Sequence, residues 1–378
     1  MIVVPTNQLE PGDVLAKPIC SASGVILLDT GTVLTEAYIR RLRMLKIGYA
    51  SLSTSQEQPQ GRRRISGVSA SAGREWVLPD IARMKENAAV RKEAVSAAEQ
   101  FVSTMQGLSQ IRLPVPEEKF RKRFRDIIGD ILSNRSLAEE FGVIYQTDEQ
   151  LFRQALQVTM CANMIGSVRQ YDPEELAQLT LGSLFSDIGM TRLPVDLTKS
   201  QRELSEAERR RLRSHTTEGY RILSAVQGVP PESAKVALQH HERYHGGGYP
   251  FGLRQNEIAE FAQIVGISDV FNALLSSRYH RKAYTIEEAT EYLFAAGNYE
   301  FDLSLIHTYL QHLTVYPPGT HVIMNNGQTA YVVNSADRPP LRPVVQVYRE
   351  ADGSAIASPY LIDLEQHPYL AILRRVAP

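Results

Sequence analysis

Cysteine is scarce. The chain of 378 residues has only Cys20 and Cys161, which excludes a disulfide framework and any CxxC metal or redox motif, and fits a reducing compartment. Net charge is almost absent as well. Lys+Arg 41 against Asp+Glu 42 leaves a formal charge of -1, so no whole-molecule field draws the chain onto nucleic acid or anionic lipid, and any basic site is local. The residues Met1 to Gln8 lack a basic start followed by an apolar stretch. No later segment approaches the roughly 18 apolar residues of a membrane span. The expectation is a soluble, cytoplasmic protein.

What is present is an ordinary globular balance, with 43% hydrophobic and 22% charged residues, the composition of a chain that folds. At roughly 150 residues per domain the length allows about two to three folded units. Residues 1–53 alternate short β-type runs, such as Gly24 to Leu28, with turn signals, then change to a helical period. Thr35 caps a helix predicted over 36–46, with Tyr38, Ile39, Leu42 and Leu45 on one stripe. This segment is read as a small α/β module. Residues 54–77, rich in Ser, Gln and Gly and carrying Arg62-Arg63-Arg64, are read as a flexible linker whose arginines form a solvated patch.

From 78 to 316 the period is helical. Thr147-x-x-Gln150, Ser205-x-x-Glu208 and Thr285-x-x-Glu288 each match a reciprocal capping box, and Asp172-Pro173 supplies a cap with proline at the first helical position. Residues 317–378 are strand-like, with runs at 322–324, 329–333 and 344–348 and turns at Asn326-Gly327 and Asp352-Gly353. The fold class is mainly α, a helical bundle with a small N-terminal α/β module and a small C-terminal β segment.

His215, His240, His241 and His245 fall within about 30 residues of one another. His240 and His241 close a helical segment that starts at Pro231, just before a Gly246-Gly247-Gly248-Tyr249-Pro250 run that cannot continue a helix. Asp187 and Asp269 each lie in an apolar run, where a carboxylate is costly to bury unless it is paired or binds a cation. Three imidazoles and one carboxylate suit Zn, Fe or Mn better than Mg or Ca. A single histidine is more often a structural residue than a ligand, and only the set of four raises the odds.

Ser186-Asp187-Ile188-Gly189, His215-Thr216-Thr217-Glu218-Gly219-Tyr220, His240-His241-Glu242-Arg243 through Gly248-Tyr249-Pro250, and Ile267-Ser268-Asp269-Val270-Phe271-Asn272-Ala273-Leu274 resemble the HD-GYP domain in order and spacing. The match covers about residues 142–316. The resemblance implies an HD-superfamily helical bundle with a two- or three-metal centre that hydrolyses cyclic di-GMP to pGpG or GMP. It assigns Asp187, His215, His240, His241 and Asp269 as metal ligands, with Asp187 also catalytic. Gly248, Tyr249, Pro250, Arg278 and Arg281 correspond to nucleotide contacts.

Several motif positions depart from the family. Ser186 and Met190 stand where histidine and lysine are usual, Gln150 and Gln154 where an acidic residue and a histidine are usual, and His245 replaces an acidic residue before the glycines. Ser277 and Tyr279 flank Arg278 where Asp and Pro are usual. By resemblance Asp187, His215, His240 and His241 form one complete site, whereas Gln150, Gln154 and Ser186 fall on its neighbour. The expectation is a cyclic di-GMP signalling protein with impaired catalysis. It would hold one divalent transition metal (Fe, Mn or Zn) per chain and act as a nucleotide-binding effector or as a scaffold for protein partners, without a nucleic-acid polymer or a membrane. The alternatives are an active metal-dependent phosphodiesterase and a purely structural helical protein.

Overall fold

A computed structural model describes residues 2–10, 12–17, 19–20, 26–28, 34, 39, 42, 47, 49–52, 78–104, 111–200, 202–276, 282–335 and 338–376, with backbone alone at 2, 3, 20 and 26–28. In the N-terminal part, β1 (Ile2–Pro5) pairs antiparallel with β4 (Tyr49–Leu52), and β2 (Ile19–Cys20) with β3 (Ile26–Leu28). Leu9, Leu15, Leu34, Ile39, Leu42 and Leu52 bury a small core of their own. Ile39 and Leu42 are helical and buried, while the Thr35 cap, most of the helix predicted over 36–46 and the linker over 54–77 lie outside the described residues.

The rest is mainly helical, as the periodicity indicates. Asp172 forms a full capping box with Glu175 ahead of the helix Pro173–Leu184, and Ser205 and Thr285 do the same with Glu208 and Glu288. The box predicted at Thr147 is not formed. Asp148 is the cap of the helix Glu149–Val168, accepting from the N–H groups of Gln150 and Leu151, while the Thr147 hydroxyl donates back to the Val143 carbonyl. Two acidic lone pairs one residue closer to the free N–H groups outcompete the hydroxyl.

The helices Glu149–Val168 and Glu260–Leu275 are apolar on almost every side and pack against each other at the centre of the bundle. Pro173–Leu184 and Pro231–Gln239 also pack together, with the Ser233 hydroxyl donating to the Gln178 carbonyl at 2.8 Å. Their C-terminal ends therefore deliver Asp187 and His240 to one place. A 3-10 segment, Ile188–Arg192, follows Asp187 and lies against the helix His215–Ser224. A Cβ at Gly189 would stand 1.9 Å from the His215 carbonyl oxygen, so only glycine permits this approach.

The C-terminal sheet runs β5 (His321–Met324), β6 (Thr329–Asn334), β7 (Val344–Arg349), β8 (Ala355–Asp363) and β9 (Ile372–Arg375), in the antiparallel order β8-β7-β6-β5-β9. Strands β8 and β9 extend the pattern read from the sequence. Val322, Met324, Ala330, Val332, Val345 and Val347 point inward by strict alternation and join the same hydrophobic cluster as the helices. Arg375 of β9 pins the sheet through Glu287 and the Val315 carbonyl, each at 2.6 Å.

Candidate metal centre

Asp187, His215, His240 and His241 converge so closely that one ligand atom from each lies within 4.8 Å of all the others. His215 opens its helix, and His240 is the C-terminal cap of Pro231–Gln239. His215 Nε2 is 3.3 Å and His240 Nε2 3.5 Å from the same oxygen, Oδ1 of Asp187.

Backbone carbonyls settle which imidazole nitrogens carry protons. His215 Nδ1 stands 2.8 Å from the Leu212 carbonyl, and His240 Nδ1 3.1 Å from those of Val236 and Ala237. A carbonyl only accepts, so each Nδ1 donates, and in the neutral rings the lone pair sits on Nε2. Both Nε2 atoms are buried with no hydrogen-bond partner. Two lone pairs and a carboxylate thus face one another, an arrangement that a cation satisfies and that otherwise is costly to bury. Burial pulls the His215 pKa below its ordinary value. At His240 burial acts in the same direction, but the nearby carboxylates of Asp187 and Asp269 overcome it and raise the pKa. The donor set, three imidazoles and one carboxylate, fits a transition metal.

The other assigned residues divide. Asp269 lies beside the cluster, its carboxyl pushed up by burial and by the charge of Asp187, but its Oδ1 accepts a hydrogen bond of 2.6 Å from Gln154 Nε2. The Ser186 hydroxyl is buried and donates to the Ser183 carbonyl at 3.0 Å. Gln150 is exposed, in the first turn of its helix. Arg278 and Arg281 lie outside the described residues.

The loop after the histidines folds back over them. Tyr249 stacks on His241, ring centroids 4.8 Å apart, and its N–H donates to the His241 carbonyl at 3.2 Å. Arg213 lies 5.0 Å from the Tyr249 ring, and burial pushes the Tyr249 phenol well above its ordinary pKa. Sequence reasoning missed what holds this loop. Glu242 is buried and accepts from the N–H groups of Phe251 at 2.7 Å and Leu253 at 3.0 Å. The signal was available: a carboxylate directly before a glycine-rich turn has free backbone donors to bind. Arg243 adds a second clamp, donating to the His240 carbonyl at 3.2 Å.

A family model described as an HD domain matches residues 142–305, and one described as a KOW domain associated with HD domain matches 321–378. The helical unit belongs to the HD superfamily, in its HD-GYP branch. Cyclic di-GMP phosphodiesterase PA4108 of Pseudomonas aeruginosa is 31% identical to this HD-GYP chain over 209 residues, 55% of the chain and 50% of that protein. Cyclic di-GMP phosphodiesterase response regulator RpfG of Xanthomonas campestris pv. campestris is 34% identical over 142 residues, 37% of the chain and 38% of that protein. A 3'3'-cGAMP-specific phosphodiesterase 1 of Vibrio cholerae is 34% identical over 110 residues, covering 29% of the chain and 25% of that protein. The chain spans about half or less of the length of these relatives. Among solved structures, Bd1817, an HDG"Y"P protein from Bdellovibrio bacteriovorus, aligns with 82% of this chain and 97% of its own, with TM-score 0.39 and 15% identity. No helix among the described residues is long and apolar enough to cross a membrane.

Proposed function

We propose that this HD-GYP chain is a cyclic di-GMP signalling protein that holds one divalent transition metal and binds the nucleotide with little or no hydrolysis. One observation carries the reading. The donor atoms of Asp187, His215, His240 and His241 converge with two orphaned imidazole lone pairs, while Asp269, the carboxylate of the adjoining position, is engaged by the Gln154 amide. The first set would hold Fe, Mn or Zn. The second offers a neutral amide and the Ser186 hydroxyl, which is committed to the Ser183 carbonyl in the last turn of the preceding helix. Neither suits a cation.

A bound ion would acidify a water and neutralise charge on a phosphoryl oxygen. The chain's own residues do the remainder. The Nδ1–H groups of His215 and His240, fixed by carbonyls, orient both rings. Gly246 to Gly248 let the backbone approach a ligand, and Tyr249 and Pro250 present an aromatic and apolar edge beside His241. Arg278 and Arg281 would receive the phosphates as charge-assisted donors. Met190 has no proton to give a leaving oxygen, so general-acid assistance is lost with the second cation site. What remains is a binding site suited to an effector or a scaffold.

The alternative, an active phosphodiesterase, draws on the names of the relatives in Pseudomonas aeruginosa and Xanthomonas campestris. The two readings separate on one assay. Purified chain incubated with cyclic di-GMP and Mn or Fe yields pGpG or GMP only if the alternative is right, and parallel incubation with 3'3'-cGAMP tests the choice of nucleotide. Under our proposal calorimetry detects binding and chromatography detects no product.

A further inference from the structure

The core of the N-terminal module rests on the HD-GYP unit at a particular residue. Tyr299, in the turn between the helices Ile286–Ala296 and Leu303–Leu310, packs against the cluster that includes Leu9, Leu15, Leu42 and Leu52. The ring of Tyr299 also lies flat on that of His245, with centroids 3.7 Å apart and planes 10° from parallel. The backbone N–H of His245 donates to the Tyr299 carbonyl at 2.8 Å, its Nδ1 faces the same carbonyl at 3.0 Å, and the Tyr244 N–H donates to the Glu300 carbonyl at 2.9 Å. The middle of the glycine run lies directly on the imidazole: a Cβ at Gly247 would stand 2.1 Å from His245 Nε2. Two residues further, Tyr249 stacks on His241.

We infer that Tyr299 and His245 are a positioning pair through which the docked N-terminal module holds the 246–253 loop against the metal cluster. A run of three glycines has a large backbone entropy and opens readily unless contacts oppose it. Glu242 anchors the loop's far end at Phe251 and Leu253, Gly246 lies against the Arg254 side chain and Gly248 against the Glu242–Arg243 backbone, whereas the middle glycine, Gly247, has the His245 ring as its support. The module therefore biases an equilibrium between an ordered and an open loop. Anything that loosens the module loosens the loop, and by linkage a ligand that orders the loop tightens the module.

Amide hydrogen exchange on the full chain tests this without any ligand. Leu42→Glu puts a charge into the module's core and Tyr299→Ala removes the ring. Both are expected to speed exchange at Tyr249, Phe251 and Leu253 about tenfold, within the usual range of coupling between sites, while amides in the helix Glu149–Val168 keep their wild-type rates. Tyr299→Phe, which retains the ring, is expected to restore protection. Unchanged loop exchange in Leu42→Glu, with the amides of Ala50 and Leu52 exchanging freely, would overturn the inference, as would Tyr299→Phe exchanging as fast as Tyr299→Ala. A nucleotide arm rests on the function proposed above: cyclic di-GMP affinity is expected to fall about tenfold in Leu42→Glu. Faster loop exchange in a protein whose wild type binds no cyclic di-GMP supports the pair and counts against that function instead.

Discussion

The side-chain amide of Gln154 donates a 2.6 Å hydrogen bond to Oδ1 of Asp269. An N–H donor thus engages one oxygen of this carboxylate. The interaction neutralises no charge, which is why Asp269 remains shifted upward by burial and by Asp187.

Replacing that amide should reopen the position. Gln154→His with Ser186→His is expected to raise metal content from about one to about two per chain, and adding Met190→Lys to raise cyclic di-GMP turnover by about 10²–10⁴-fold, the usual contribution of a positioned general acid. Gln150→Glu alone is expected to change neither quantity, because Gln150 is exposed. Elemental analysis and product chromatography decide, and an unchanged metal content in the double variant would count against the assignment.

Removing two donors from the converged set should empty it. His240→Ala/His241→Ala is expected to take metal content from near one per chain towards zero while leaving the helical circular-dichroism signal in place. Two or three tightly held ions in the wild type would contradict the single-ion reading.

Gly189→Ala tests the close approach of the 3-10 segment to the His215 helix. The added methyl meets the His215 carbonyl oxygen at 1.9 Å, backbone against a short rigid side chain, so the segment must move and carry Asp187 with it. A loss of about 3 kcal/mol or more is expected, read as a lower urea midpoint together with reduced metal content. A wild-type midpoint would show that the segment yields freely.

Glu140 offers a test of stability away from the metal. Its buried carboxylate meets Arg192 and Lys85, each at 2.5 Å, and Arg192 closes the segment that begins at Asp187. Glu140→Ala leaves the mostly buried Arg192 without its counter-ion and is expected to cost about 3–5 kcal/mol, as for other buried pairs broken on one side. Glu140→Gln should cost less, since an amide oxygen still accepts.

Much of the candidate site was legible because its residues are expensive to place anywhere else. A histidine pair against a glycine run, and aspartates inside apolar stretches, announce themselves in one dimension. The substitutions at Ser186 and Gln154 were equally visible, but their consequence was not. Whether Gln154 would leave Asp269 bare or bind it depended on a rotamer, and whether Gln150 would face the site depended on the phase of its helix. The cap at Asp148 was missed because Thr147 and Asp148 both suit the role and only the backbone decides between them. Glu140 and Glu242 escaped notice for a different reason: a lone acidic residue reads as solvated surface until its distant partners, Arg192 or the Phe251 amide, are known. The tail of the sheet was under-read because the exposed β8 lacks the alternation that marked β6 and β7.

The inward-facing valines of β5, β6 and β7 lie in the same apolar interior as the helices. This has a meaning for how such a chain can diversify. A segment that merely hangs from a bundle can be traded by recombination, but one that supplies part of the bundle's interior must be inherited with the residues it touches. Exchange of residues 321–376 with an unmatched donor would reopen the helical core. The N-terminal module, whose leucines pack among themselves and against Tyr299, can be exchanged more readily, provided the newcomer keeps the contact with Tyr299.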